Sequence, residues 1–177
     1  MSQPRHRPAM PKQVIAYLDI QTAGTYVDMT VGSGGHAALI LEASAPDGRL
    51  IAIDRDAQAL GLAQQQLAEF GQRVQFFHRR FSELPDVVAE AGVQQVNGVL
   101  IDTGISMDQM LDLARGFSFR SSSRLDMRMD RRQKLTAYEV VNCYSKPQLY
   151  DVLRVTGRGR EARKVAASAT TSKSIKT

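Results

Sequence analysis

The sequence predicts an α/β fold of the Rossmann-like kind, a parallel sheet with helices on both faces. Three observations predict it. Short apolar runs bounded by turn residues alternate with longer stretches of helical spacing. A knot of glycines, "VGSGGH" at 31–36, joins the first run directly to a helical stretch. Acidic residues, Asp28, Asp54 and Asp102, stand at or near the ends of three runs, on the side of a parallel sheet where ligands bind.

Strands are expected at 25–29, 50–54, 74–77 and 98–102. Between the first two, a helix starts near Gly35 and ends by Ser44. A second runs from Asp56, a side chain able to cap it, to Phe70, with Gly71 closing it. A third is capped by Ser82, carries Pro85 in its first turn and closes at Gly92. After Asp102 the strand pattern stops, and 103–132, rich in charge and methionine, has no defensible period. Two short helices follow at 137–144 and 148–155, the latter capped by Ser145 with Pro147 early. The last residues, "KVAASATTSKSIKT", are small and polar and are expected to hold no core. The chain thus divides into a sheet-bearing half at 1–106, a loop and helical segment at 107–155, and a basic, flexible tail at 156–177. Four strands fall short of the five to seven of a doubly wound sheet. The fourth, with Val99, Leu100 and Ile101, would lie on an open edge where another chain can pair. Either the sequence is a fragment, or something covers that edge; a dimer through it is one way.

A length of 177 residues is enough to bury a core, and 43% apolar content fits a folded protein. The basic start, "MSQPRHRPAMPKQ", has no apolar run behind it, so neither a secretory signal nor a membrane span is expected and the protein reads as cytoplasmic. Cys143 alone makes no internal disulfide and no cysteine-based zinc cage, and no metal site is expected. The net charge of +5 is uneven. From Arg154 onward seven Lys and Arg face Glu161 alone, giving +6 there and −1 for everything before. Such a segment either attracts a polyanion such as RNA or is simply a solvated tail.

The glycine knot puts backbone N–H groups and the positive end of a helix dipole at one spot, and glycine lets a ligand approach closely. Gly32, Gly34 and Ala37 match the dinucleotide spacing G-x-G-x-x-G/A, and Asp54 follows about twenty positions on, placed to accept from ribose hydroxyls. A plain tight turn with Asp54 as a helix cap is the structural alternative. Asp28 decides between nucleoside ligands. A pyrophosphate beside it would be repelled, whereas S-adenosylmethionine (SAM) brings a cationic ammonium and sulfonium that carboxylates favour. A NAD-linked dehydrogenase is supported by the glycines alone.

Read in order and spacing, "VGSGGH", "IAIDRD", "RRFSEL", "VLIDTGIS", "RGFSF" and "LDMRMD" make the chain resemble the ribosomal RNA small-subunit methyltransferase H family, the MraW-type enzymes. The resemblance runs from His6 to about Lys164 and covers the N-terminal part of such an enzyme. It implies a class I SAM-dependent methyltransferase fold with a helical domain inserted after the fourth strand, here incomplete. It also implies SAM-dependent methylation of the exocyclic N4 of one cytidine in the decoding region of 16S rRNA. The partner is then small-subunit rRNA or the assembling 30S subunit. The family's SAM site falls on Gly34, Gly35, His36, Asp54, Phe81, Asp102 and Gln109. His36 as a locally packed side chain, and Phe81 as a core aromatic, are the bland alternatives.

A cytosine amino group is a poor nucleophile, so it must be oriented and relieved of one proton; Asp102 or Ser106 would accept that hydrogen bond. Methylation at C5 would need a thiolate, and Cys143 is expected to be a buried, inert thiol. Arg115, Phe117, Phe119, Arg120, Arg124 and Arg128 interleave cations with aromatics, the composition that grips splayed bases and phosphates. Alternatively the phenylalanines and methionines pin this loop to a core, and Asp126 and Asp130 form salt bridges with Arg128 or its neighbours. Thr30 stands where the glycine-rich turn of SAM methyltransferases usually has its first glycine, while Thr103, Met107 and Asp108 depart from the family's pattern, as does "TGRGRE", and the family's later segments do not follow. A SAM- or RNA-binding remnant without turnover is therefore the second reading.

Overall fold

The computed structural model describes residues 8–155 and 159–171. It divides into two units, Met1–Gly104 and Ile105–Thr177. Each is built separately.

The first unit is a four-stranded parallel sheet in the order β3-β2-β1-β4. Its strands are β1 (Thr25–Asp28), β2 (Arg49–Asp54), β3 (Val74–His78) and β4 (Gly98–Leu100). β1 lies between β2 and β4, with Val27 beside Ile51 on one side and Val99 on the other. The two-residue period of a strand sorts the side chains. Tyr26, Leu50, Ala52 and Val74 turn to one face, under α2 (Gly35–Ala43) and α3 (Ala57–Gln66), where Ile40, Leu41, Leu60 and Leu67 are buried with them. Val27, Ile51 and Ile53 turn to the other, against Val87 of α4 (Leu84–Glu90). Each such aliphatic side chain gains roughly 1.5–3 kcal/mol by burial. The sheet has helices on both faces, as the sequence predicts.

Several details differ. A helix not anticipated, α1 (Pro11–Leu18), starts on a proline and packs Ile15 and Leu18 on the core. The second predicted helix ends at Gln66, and a 3-10 turn, Ala68–Arg73, carries the chain to β3 through Gly71 at φ 54°. Asp56 does cap α3, accepting from the Gln58 N–H. Ser82 does not cap α4; the Glu83 carboxylate takes the Arg80 N–H, and the 3-10 turn Phe81–Glu83 leads into the helix with Pro85 in its first turn. β4 stops at Leu100, leaving Ile101 and Asp102 beyond the ladder.

In the second unit, α5 (Met107–Leu111) starts the stretch read as aperiodic, and its Ser106 and Gln109 cap each other. α6 (Ala137–Cys143) is capped by Thr136 and Glu139, and α7 (Lys146–Arg154) by Ser145, whose N–H and hydroxyl donate to Gln148. The expected flexible tail is corrected over 159–171, which form α8 (Gly159–Thr171). Ala162, Ala166 and Ala169 recur at helical spacing and are buried, the latter two with Leu149 of α7. Small residues there allow close approach instead of signalling disorder. His6 and the cations Arg158, Lys173 and Lys176 lie outside the described residues. No helix among the described residues is long and apolar enough to cross a membrane.

Candidate functional site: a carboxylate rim on a glycine turn

Leaving β1, the chain turns at Thr30, whose N–H donates to Asp28 Oδ1 at 3.0 Å. Gly34 then closes a tight turn onto the Val31 carbonyl at 2.8 Å and caps α2. Its φ of 97° lies in the left-handed region, and a Cβ there would meet the Leu67 side chain at 3.3 Å. Glycine is required for both reasons. Gly32, at φ 54°, donates its N–H to Asp54 Oδ2 at 2.9 Å. Asp54 Oδ1 takes the Asp56 N–H at 2.9 Å, so this carboxylate ties the end of β2 to the glycine turn. Burial raises the Asp54 pKa, opposed by those backbone donors.

On the other side of β1, the Asp102 N–H donates to Thr30 Oγ at 2.7 Å. The Asp102 side chain is 56% exposed, with one oxygen 3.8 Å from His36 Nε2. His36, at the start of α2, is buried, which lowers its pKa against the pull of Asp102. Its Nδ1 has no hydrogen-bond partner among the described residues. Phe81 follows β3 at the same sheet end and is half exposed, an available wall instead of a core aromatic. The rim thus offers a glycine turn, three carboxylates and one neutral-leaning imidazole.

In the second unit, Ser106 Oγ accepts the Gln109 N–H at 3.1 Å and Gln109 Oε1 accepts the Ser106 N–H at 3.0 Å. Arg115 is 2% exposed, and its guanidinium donates to the carbonyls of Arg128 and Met129. Asp126 and Asp130 each accept from the N–H and the guanidinium of the arginine two residues on, Arg128 and Arg132. The Arg128 guanidinium holds the Asp126 carboxyl below its ordinary value. Arg124 lies over the Tyr138 ring at 3.9 Å and pairs with Glu139. Phe119 is fully open to solvent and Arg120 is exposed.

A family model described as the MraW methylase family matches residues 3–177. The chain belongs to that family. Ribosomal RNA small subunit methyltransferase H of Geotalea daltonii is 47% identical over 163 residues, covering 92% of this chain and 52% of that protein. The protein of the same name from Syntrophotalea carbinolica is 46% identical over 162 residues, with the same coverage. The chain therefore spans about half the length of the curated relatives it matches. Among solved structures, TrmN from Thermus thermophilus covers 56% of this chain and 29% of its own, at 20% identity and a TM-score of 0.46.

The expected SAM residues fall into two groups. Gly34, Gly35, His36, Asp54, Phe81 and Asp102 belong to the sheet unit, and all but Phe81 join the hydrogen-bonded or packed surroundings of the glycine turn. Gln109 belongs to the second unit, buried in a capping box with Ser106. Of the expected RNA-facing set, Arg115 is corrected: its guanidinium clamps a loop from within. Cys143, expected buried, is exposed; it ends α6, away from the positive helix end that activates thiols. Thr30 was legible only as a departure from a glycine, and its link to Asp102 spans 72 residues, beyond any local signal.

Proposed function

We propose that this chain forms the SAM-binding part of an rRNA methyltransferase. Its substrate is the exocyclic N4 of a cytidine in the decoding region of 16S rRNA, free or in the assembling 30S subunit, in the cytoplasm. One observation supports this above all: in a member of the MraW methylase family, a glycine turn and Asp28, Asp54 and Asp102 share the carboxyl end of one parallel sheet. SAM would supply an electrophilic methyl group carried on a cationic sulfur. Gly34 and Gly35 would clear the way for its methionine part. Asp54 would accept from ribose hydroxyls with the lone pairs its backbone donors leave free, and Phe81 would offer the adenine an apolar face. His36 and Gln109 complete the proposed set.

For the acceptor, Asp102 has the exposed carboxylate suited to take a hydrogen bond from the cytosine amino group and orient it. Ser106 is the alternative acceptor, with one lone pair already given to the Gln109 amide. Phe119 and Arg120 would stack on and pair with RNA, supported by Phe117, Arg124 and Arg128. The test is incubation with methyl-labelled SAM and small subunits lacking the modification, followed by nucleoside analysis. Label in N4-methylcytidine is expected; label in C5-methylcytidine or another nucleoside would refute the assignment.

In a second reading the chain binds SAM or RNA without turnover. SAM binding with no label in rRNA would select it. The β4 edge, with Val99 39% exposed and Ile101 just beyond it 52% exposed, is where a second copy would pair. Sedimentation showing monomer at all concentrations would dismiss that dimer.

A further inference from the structure

Asp28 is 1% exposed at the end of β1. It lies in register beside Ala52 and Leu100, and Asp54 and Asp102 stand two residues further along the flanking chains. Its carboxyl accepts from the N–H of Thr30 and hydrogen-bonds with the hydroxyl of the same residue, whose oxygen takes the Asp102 N–H. The charged groups facing it are Asp54 from β2 and Asp102 from beyond β4; His36, on α2, faces Asp102 instead. No ion pair joins Asp28 to a cation among the described residues. Burial, then the neighbouring carboxylates, push its pKa up to about 7 against the Thr30 hydrogen bonds.

A hydrogen-bond acceptor alone would not call for an acid here. Asparagine has the same shape, accepts the Thr30 N–H equally well, and avoids burying a charge. What only an acid provides is negative charge, supplied on demand.

We propose that Asp28 is the buried counter-charge of the donor site. It holds a proton while the site is empty, releases that proton to solvent when a cationic ligand docks at the rim, and so favours the sulfonium donor over its uncharged thioether product. The proposal rests on the reading of this rim as a SAM site. Below the pH at which Asp28 ionises, binding must expel a proton, so affinity falls about tenfold per pH unit; above it, affinity levels off.

The test is titration calorimetry of the chain with SAM and with S-adenosylhomocysteine, near pH 6, in two buffers of different ionisation enthalpy. Proton release on SAM binding is expected to exceed that on S-adenosylhomocysteine binding. Asp28→Asn is expected to abolish the difference and to narrow the preference for SAM by roughly tenfold, with its fold checked by circular dichroism. Equal release for both ligands in the unsubstituted chain, a comparison that needs no variant, would overturn the proposal and leave SAM binding standing. So would an unchanged preference in a folded Asp28→Asn. Failure of the unsubstituted chain to bind SAM at any pH would overturn both readings together.

Discussion

Replacing Asp28 by asparagine should stabilise the ligand-free protein, and the gain should grow with pH. The carboxyl is fully buried and its folded-state pKa is raised from 3.8 to about 7. The native state then binds the proton more tightly than the unfolded chain, so stability falls as pH rises between those values. The penalty is absent below about pH 4 and complete above about pH 7 to 8. A shift of about three pKa units corresponds to about 4 kcal/mol at the upper end, each unit being about 1.4 kcal/mol. Asparagine keeps the acceptor for the Thr30 N–H and carries no charge, so it escapes the penalty. Urea unfolding of both proteins, followed by circular dichroism at pH 5, 6, 7 and 8, measures the difference directly. The variant should gain progressively, by at least about 2 kcal/mol from pH 5 to pH 8, half the full figure. Stability curves that stay parallel across this range would show that Asp28 is ionised at no cost in the empty site, and the electrostatic account of the rim would fail.

Asp54→Ala should weaken SAM binding by ~1–3 kcal/mol, the cost of removing a charged acceptor, and calorimetry showing unchanged affinity would contradict its ribose role. Gly34→Ala should lower the melting temperature, since a side chain at φ 97° is strained by about 1 kcal/mol or more and presses on Leu67; an unchanged melting curve would refute that geometry. Arg115→Ala should destabilise the second unit by ~1–3 kcal/mol by stranding the Arg128 and Met129 carbonyls, as urea unfolding would show. Phe119→Ala with Arg120→Ala should leave the melt unchanged and weaken binding to a decoding-region RNA fragment by about 1–3 kcal/mol in a filter assay; equal RNA affinity would remove these residues from the proposed interface.

How far the sequence could be read depends on how local each determinant is. The strands and the Asp56 and Ser145 caps were legible because a cap or a turn is decided within four residues. The same rule should have exposed α5, since Ser106 and Gln109 stand at capping-box spacing; the charge and methionine around them masked a helix only five residues long. α1 was hidden for a similar reason, its apolar Ile15 and Leu18 being too few to declare a face until a sheet lies beneath them. α8 shows the limit of composition. Its alanines look like filler in one dimension and become a packing face only when α7 supplies Leu149 opposite them.

The rim follows the same division. Its members were visible one by one, as glycines with a strand before and a helix after, and as acids at strand ends. Their couplings were not, because Gly32 to Asp54 spans 22 residues and Asp102 to Thr30 spans 72. Thr30 illustrates what is lost. As a sequence feature it is a threonine where the glycine-rich turn of SAM methyltransferases usually has its first glycine. In the fold its oxygen accepts the Asp102 amide while its N–H and hydroxyl serve Asp28, so one side chain links the buried acid to the exposed one. Thr30→Gly should therefore keep the turn and cut that link. If the link matters, Thr30→Gly lowers SAM affinity even though glycine suits the turn; undiminished affinity would mean that Asp28 acts through its charge alone.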